Sequence, residues 1–473
     1  MKRQIKTLII AASVLLLLVG AVLVLQLVSG GEGDAGSSSE KEAFSVISEK
    51  TANLQTLVIK NSFGEYTIER NEDGELSVPG FEKYPLSTSN ITLVSNGIAM
   101  FSSYDKIESP ENLSNYGLSS PEATAVAYFK NGKEYTVKVG KKAEYSESLG
   151  YYALVEGDPN VYVLNPSASE LLMCDKMQYI SLVLSNTTEE EVLPLVEKAE
   201  FTGNSVTPFN LEKAKITTDG ITYTDTLKLS DPYDIFVDSE KAEKVFTAIL
   251  NMHASGVEKL SPTREELNGY GLLSPAAYLN VTYKETENLR IKLGNKSEDG
   301  FYYIMNEEHD VVFKISAENV STWVNLKPSL VMMTLPVYTP VHVLNEMHIT
   351  YEGTTHVYEI DADPSVKTQL EVNLKGKGEV DTDNFKKFYA KTMLYAVTDT
   401  VSEVPSSQME FALTYVYDDG RRDTVEFYDM GSRRYQVVKN GKGRFVTTHT
   451  EVKDLEKTFS KLLSGEPIAE VNG

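Results

Sequence analysis

Apolar and polar residues alternate in short bursts along this chain, and the bursts are separated by turns that contain glycine. Thr56-Leu57-Val58-Ile59-Lys60 comes first, then Tyr66-Thr67-Ile68-Glu69-Arg70, a Glu72-Asp73-Gly74 turn and Leu76-Ser77-Val78. Residues 199–202 and 221–229 alternate in the same way, as do 347–351 and 356–360 around Glu352-Gly353. A period of two puts successive side chains on opposite faces, so these stretches predict antiparallel hairpins. A helical period then takes over. Ser87 precedes Ile91, Val94 and Ile98, Asp238 precedes Val245, Phe246, Ile249 and Leu250, and Asp381 precedes Phe385, Phe388, Tyr389 and Leu394. Ser and Asp cap helices because their side-chain oxygens accept from the first unpaired backbone N–H groups. Apolar spacings of three and four after each cap predict one buried stripe.

A second strand group follows each of these helices. In the first case it runs through Ala123–Phe129, an Asn131-Gly132 turn, Glu134–Val139, Tyr151–Val155 and Val161–Leu164. Asn-Gly between alternating runs is a strong hairpin signal. The second group is Tyr278–Tyr283, Leu289–Leu293, Phe301–Met305 and Val311–Ile315. The third is Phe411–Tyr417, Thr424–Tyr428, Tyr435–Lys439 and Arg444–Thr448. Closing helices are predicted at Pro166–Leu172, Ser316–Trp323 and Val452–Leu463.

The periodicity is backed by near-identical text. Tyr116-Gly117-Leu118-Ser119-Ser120-Pro121 returns as Tyr270-Gly271-Leu272-Leu273-Ser274-Pro275, an offset of 270 − 116 = 154. The same offset carries Val137-Lys138-Val139-Gly140 onto Ile291-Lys292-Leu293-Gly294. Two motifs sharing one offset mean duplication. The third helix-cap signature extends the series to a divergent copy without the Tyr-Gly-Leu turn. The expected architecture is therefore α+β: three repeated units of antiparallel sheet with about two helices each, at 50–190, 191–335 and 336–467, with a tail at 468–473.

The N-terminus adds an anchor. Lys2, Arg3 and Lys6 precede an uncharged run from Leu8 to Leu25. About 18 apolar residues suffice to cross a bilayer as a helix, and basic residues before the run favour a cytoplasmic N-terminus. A cleaved signal peptide is the alternative, but its apolar region is usually about 7–15 residues long. The expectation is a single-pass protein of the cell membrane, with residues 1–28 as basic end and transmembrane helix, 29–49 as a Gly/Ser-rich tether, and the remainder extracytoplasmic.

Composition narrows the partners. The formal charge is −23, from 45 basic and 68 acidic residues. Such acidity repels nucleic acid, so no nucleic-acid partner is expected. A single cysteine, Cys174, excludes an internal disulfide.

An N-terminal membrane helix followed by copies of a strand-rich unit with a Tyr-Gly-Leu-x-x-Pro turn resembles the bacterial domain-of-unknown-function family 4340. The resemblance covers 50–330 well and the third copy more loosely. It implies a membrane-anchored bacterial protein associated with ABC transporters, so that other membrane or envelope proteins, such as transporter subunits, become the expected partners. It implies no catalytic residues.

Reactive constellations are absent from the text of the chain. None of the six histidines forms a His-Glu-x-x-His pair, although His342, His348 and His356 fall close together on predicted strands. Asp361-Ala362-Asp363 opens like a calcium loop, but Val366 and Val372 stand where Gly and Glu are required. Ser103-Tyr104-Asp105-Lys106 fits Ser-x-x-Lys without the accompanying Lys-Thr-Gly. No catalytic residue, cofactor or metal is expected, and the leading reading is a non-catalytic binding or scaffold protein. A glycan- or polymer-binding envelope protein is the alternative, and an enzyme whose site assembles only in the fold is the third.

Two sets of residues carry that reading. Gly117 and Gly271 supply a backbone angle that other residues resist, Leu118 and Leu272 plug the core between sheet and helix, and Pro121 and Pro275 break any helix and start the next strand. Tyr116 and Tyr270 either belong to this structural turn or contact a partner. The equivalent tyrosines Tyr151, Tyr152, Tyr302, Tyr303 and Tyr435 are candidate interface residues, because tyrosine favours both exposed sheets and protein interfaces.

Overall fold

The computed structural model describes residues 43–144, 149–218, 221–230, 232–362 and 370–470, except for the side chains of 216–218 and 221–225. Three large antiparallel sheets follow one another along the chain. The strands of sheet II are Val196–Thr202, Phe209–Thr218, Ile221–Leu229, Ile235–Phe236, Gly256–Leu260, Ala277–Tyr283, Glu287–Lys296, Tyr302–Asn306 and Val311–Ile315. Those of sheet III are Leu344–Tyr351, Thr354–Ala362, Leu370–Leu374, Gly378–Glu379, Asp399–Thr400, Met409–Tyr417, Arg422–Asp429, Arg434–Lys439 and Gly443–Thr448. With strands counted from one in each sheet, both run 4-3-2-1-6-7-8-9-5 across the sheet. Sheet I, from Leu54–Asn61 to Val161–Leu164, has the same order without the fourth strand. A fourth sheet has two strands, Phe44–Ser45 and Ser102–Ser103.

One helix in each case carries the chain from one edge of the sheet to the other. These are α1 (Thr88–Ala99), α3 (Ser239–Ile249) and α6 (Thr382–Thr392). The side chains of Ser87, Asp238 and Asp381 accept from the third residue beyond, which fixes where each helix starts. Ile91, Val94 and Ile98 of α1 are buried, as are Val245, Phe246 and Ile249 of α3. In sheet I, α2 (Pro166–Met173) packs beside α1. The pair approaches so closely that a Cβ on Gly97 would collide with Ala168. Beneath them Ala123, Ala125 and Ala127 present small side chains to the helices. Shorter helices are α4 (Arg264–Gly269) and α5 (Ala317–Val320), and α7 (His449–Ser464) closes sheet III.

The expected fold class is corrected. The described residues are mainly large antiparallel sheets, four of two to nine strands, with seven α-helices, and sheet II carries three helices where about two were expected. Among the described residues no helix is long and apolar enough to cross a membrane. The longest has 16 residues, short of the ~20 apolar residues a span needs, and it keeps a charged face. The stretch 8–27 expected to form the anchor lies outside the described residues. A single-pass membrane location is therefore not supported.

Successive sheets are joined in a common way. Each is entered by a segment that pairs just beyond its crossing helix: Val46 N–H bonds to Phe101 O (2.8 Å), Leu184 N–H to Met252 O (2.9 Å), and Val397 N–H to Thr334 O (2.7 Å). At the first junction Lys83 Nζ donates to Ser261 Oγ (2.5 Å) and pairs with Asp310 (3.2 Å), with the Tyr84 hydroxyl 2.8 Å from the same Ser261 Oγ. At the second, Lys439 Nζ donates to Asp234 O (2.7 Å) and pairs with its carboxylate (3.5 Å), and the Tyr233 ring lies 6.5 Å from that of Phe445. Burial pulls the Lys439 ammonium below its ordinary pKa in spite of Asp234. At Asp234 burial works against the charge, but hydrogen bonding to Lys228 and the two nearby ammonium groups outweigh it and hold the carboxyl low.

Candidate functional site

The repeated turns form around two short helices. In sheet I a 3-10 turn at Leu113–Tyr116 is capped by Asn112, whose side chain accepts from Ser114 N–H (2.9 Å). In sheet II the corresponding helix is α4, held by a reciprocal capping box between Thr263 and Glu266. Both end alike. Gly117 has φ 74° and Gly271 φ 75°. Gly117 N–H bonds to Ser114 O and Leu118 N–H to Leu113 O, and Gly271 and Leu272 bond back to Asn268 and Leu267 in the same pattern. Such paired bonds satisfy the last carbonyls of a helix and require a left-handed residue, which is why glycine stands there.

Each turn rests on a break in strand register. The pairing of Glu134–Lys142 with Tyr151–Val155 shifts between Val139 and Lys142, and that of Glu287–Lys296 with Tyr302–Asn306 shifts between Leu293 and Lys296. Gly140 and Gly294 lie within these bulges. A Cβ on Gly140 would collide with the carbonyl oxygen of Tyr116, and one on Gly294 with that of Tyr270. In return, a Cβ on Gly117 would lie 2.7 Å from Lys141 N. Asn295 N–H bonds to Tyr270 O at 2.8 Å. The two duplicated motifs of the sequence are thus two sides of one contact between backbones. Leu118 and Leu272 are buried, and Pro121 and Pro275 stand just before the strands Ala123–Phe129 and Ala277–Tyr283.

The tyrosines divide into three groups. Tyr116 packs edge-on against Tyr152 with centroids 5.0 Å apart, and Tyr270 lies tilted against Tyr303 at 4.5 Å. All four are half-buried, so a matching aromatic pair stands at the surface of both sheets. Tyr151 and Tyr302 instead pack against the core. Tyr435 has no exposed surface. Its hydroxyl donates to Glu410 (2.6 Å), which also binds Lys453 (3.0 Å), and burial followed by the Glu410 bond pushes its pKa up to about 12.

Beside the second turn a shallow groove of about 350 Å3 is lined by Thr202, Asn204, Leu273, Pro275, Tyr278 and Lys292. On its floor Lys292 pairs with Glu307 (2.6 Å), and the Tyr278 hydroxyl is 3.5 Å from the same carboxylate. A second, more polar groove of about 540 Å3 lies toward the far end of the same strands, between Asn280, Tyr283, Glu287, Asn288, Arg290 and Glu308.

The remaining reactive side chains are placed as structural groups. Ser103 is buried, accepting from Val163 N–H (3.0 Å) and donating to Asp105 O (2.8 Å), while Lys106 pairs with Glu108 (2.9 Å). The Cys174 thiol donates to Leu171 O, and burial pushes its pKa up to about 11. His348 meets Glu346 at 2.6 Å, whereas the His356 ring lies tilted against that of Phe459 at 5.5 Å. Among the described residues no group of three or more His, Cys, Asp or Glu side chains is arranged to hold a metal ion. The junction residues Lys83, Asp234, Asp310 and Lys439 were not singled out from sequence. The offset between caps, 238 − 87 = 151, also maps Lys83 onto Asp234 and so held the signal.

These observations define a chain of antiparallel sheets with a duplicated turn-on-bulge lock. Residues 77–275 match the family model described as Domain of unknown function (DUF4340), so the expected resemblance stands over a narrower range than 50–330. No curated protein and no solved structure matches the chain.

Proposed function

We propose that the chain is a non-catalytic binding or scaffold protein that engages a protein partner through sheets I and II. The observation that carries this reading is the pair of half-buried aromatic couples, Tyr116–Tyr152 and Tyr270–Tyr303, placed alike on two sheets of equal strand order. Tyrosine brings a large apolar area and a hydroxyl at little cost in side-chain freedom, which suits an interface. The family resemblance directs the search for the partner to subunits of ABC transporters. The experiment is affinity capture with the full chain and with a Tyr152→Ala/Tyr303→Ala variant. A protein retained by the first and lost by the second, with the variant still folded by circular dichroism and cooperative melting, supports the reading. Equal capture by both, or substrate turnover by the chain, overturns it. The polar groove at Asn280 and Arg290 favours a second reading, binding of a glycan. In that case a soluble oligosaccharide would protect the amides of Glu287–Lys296 from hydrogen exchange.

A further inference from the structure

The two junctions use equivalent pieces with reversed charge. In each, the residue four before the helix cap meets the hairpin made by the eighth and ninth strands of the next sheet. Lys83, four before Ser87, meets Asp310, and Asp234, four before Asp238, meets Lys439. Two members of this series are left over. Four before the cap Asp381 of sheet III stands Lys377, exposed in the turn Lys375–Lys377. On sheet I the corresponding hairpin turn is 156–160, with exposed Glu156, which pairs with Lys138 of its own sheet (3.5 Å), and half-buried Asp158. Its surroundings repeat those of the first junction. Ser109, at φ 40°, bonds to Asn160 Oδ1 (3.3 Å), much as Ser261, at φ 46°, bonds to Asp310 O (2.9 Å). The carboxylate alone is displaced, from the position of Asn160 to Asp158.

We propose that these two surfaces bind each other between copies of the chain, the Lys377 loop of one copy docking on the 156–160 hairpin of the next. The leftover loop is basic and the leftover hairpin acidic, the same sense as Lys83 on Asp310. The place that the entering segment around Leu184 takes on sheet II is already filled on sheet I by Phe44–Ser45. A docking copy therefore has to supply only its loop. The contact joins unlike surfaces, so it can pass from copy to copy. Gly376 and Gly378 flank Lys377 where the earlier loops carry Tyr84 or Tyr233. The attraction is thus led by charge and falls with salt.

Sedimentation velocity of the full chain over a range of protein concentrations, at low and high salt, tests this. Association that rises with concentration and disappears in high salt is expected. Lys377→Glu weakens it about tenfold, as does Asp158→Lys, or Glu156→Lys should the loss of the Asp158–Tyr162 hydrogen bond disturb the hairpin. Mixing Lys377→Glu with Asp158→Lys restores it. A monomer at every concentration in low salt, or association that survives each single reversal, overturns the proposal.

Discussion

Sheets I and II differ from sheet III between the crossing helix and the strands that follow it. The first two sheets set a Tyr-Gly-Leu turn onto a bulge at Gly140 or Gly294. In sheet III the strand Arg422–Asp429 pairs with Arg434–Lys439 in unbroken register, and the sequence between α6 and Met409–Tyr417 holds no Tyr-Gly-Leu motif. Its core is filled by rings instead. Tyr358, Phe385, Phe388, Phe411 and Phe427 cluster around or beside Phe459, where sheet I has alanines under closely packed helices. The strand order therefore does not depend on the turn. Turn and bulge are one local device that comes and goes together, and a larger aromatic core serves where it is missing.

The comparison breaks most readily at the bulge. Gly140→Val and Gly294→Val drive a side chain into a backbone carbonyl that has nowhere to move, and each should cost about 3 kcal/mol or more. Urea unfolding of each variant measures this. Gly117→Val and Gly271→Val force a branched residue into the left-handed region beside the bulge, for about 1–3 kcal/mol. Gly420→Ala in sheet III has the same sign of φ, 84°, but open space around its Cβ, so about 1 kcal/mol of backbone strain is its whole effect. Equal losses at Gly420 and Gly271 would mean that the bulge contributes nothing. Tyr116→Ala and Tyr270→Ala each forfeit a ring pair worth about 0.5–1.5 kcal/mol beyond area burial. Tyr358→Phe should be neutral or mildly stabilising, within about 1 kcal/mol, because its buried hydroxyl has no hydrogen-bond partner among the described residues. A larger loss would show that sheet III relies on more than its rings.

The smallest effect separates sheet I from sheet II by pH. Glu266 in the second turn has its pKa lowered to about 2 by its bonds to Lys259 and to the backbone and hydroxyl of Thr263. A carboxyl that is more acidic in the folded state stabilises above its unfolded pKa, and that contribution is lost as pH falls from 4.5 toward about 2. Amides of α4 should exchange faster over that window. Those of Leu113–Tyr116 should not, because their cap, Asn112, does not titrate.

Much of this was legible in the sequence, and what was not has physical reasons. The caps Ser87, Asp238 and Asp381 act locally, so their side-chain chemistry was enough to place three helices. The strand Phe209–Thr218 shows no clean period in the sequence, because Lys213 and Lys215 fall in phase with buried Phe209 and Leu211 and the register shifts between Ala214 and Ile216. The edge strand Gly256–Leu260 is half-buried along its whole length and has no period to read. Tyr116 and Tyr152 could each be picked out, but their contact depends on strands brought side by side by the fold. The same holds for Lys83 and Asp310, which are far apart in sequence and meet only across a junction. The turn motif and the strand-ending glycine shared one offset, yet nothing in that offset says that one presses on the other.

The claim that turn and bulge form one lock is tested most directly by native-state hydrogen exchange on Gly294→Ala. The lock predicts faster exchange at Asn295, whose N–H bonds across to Tyr270 O, and at Gly271 and Leu272, whose bonds close the turn itself, with Gly117, Leu118 and all of sheet III unchanged. Unaltered protection at Leu272 and Asn295 would contradict it.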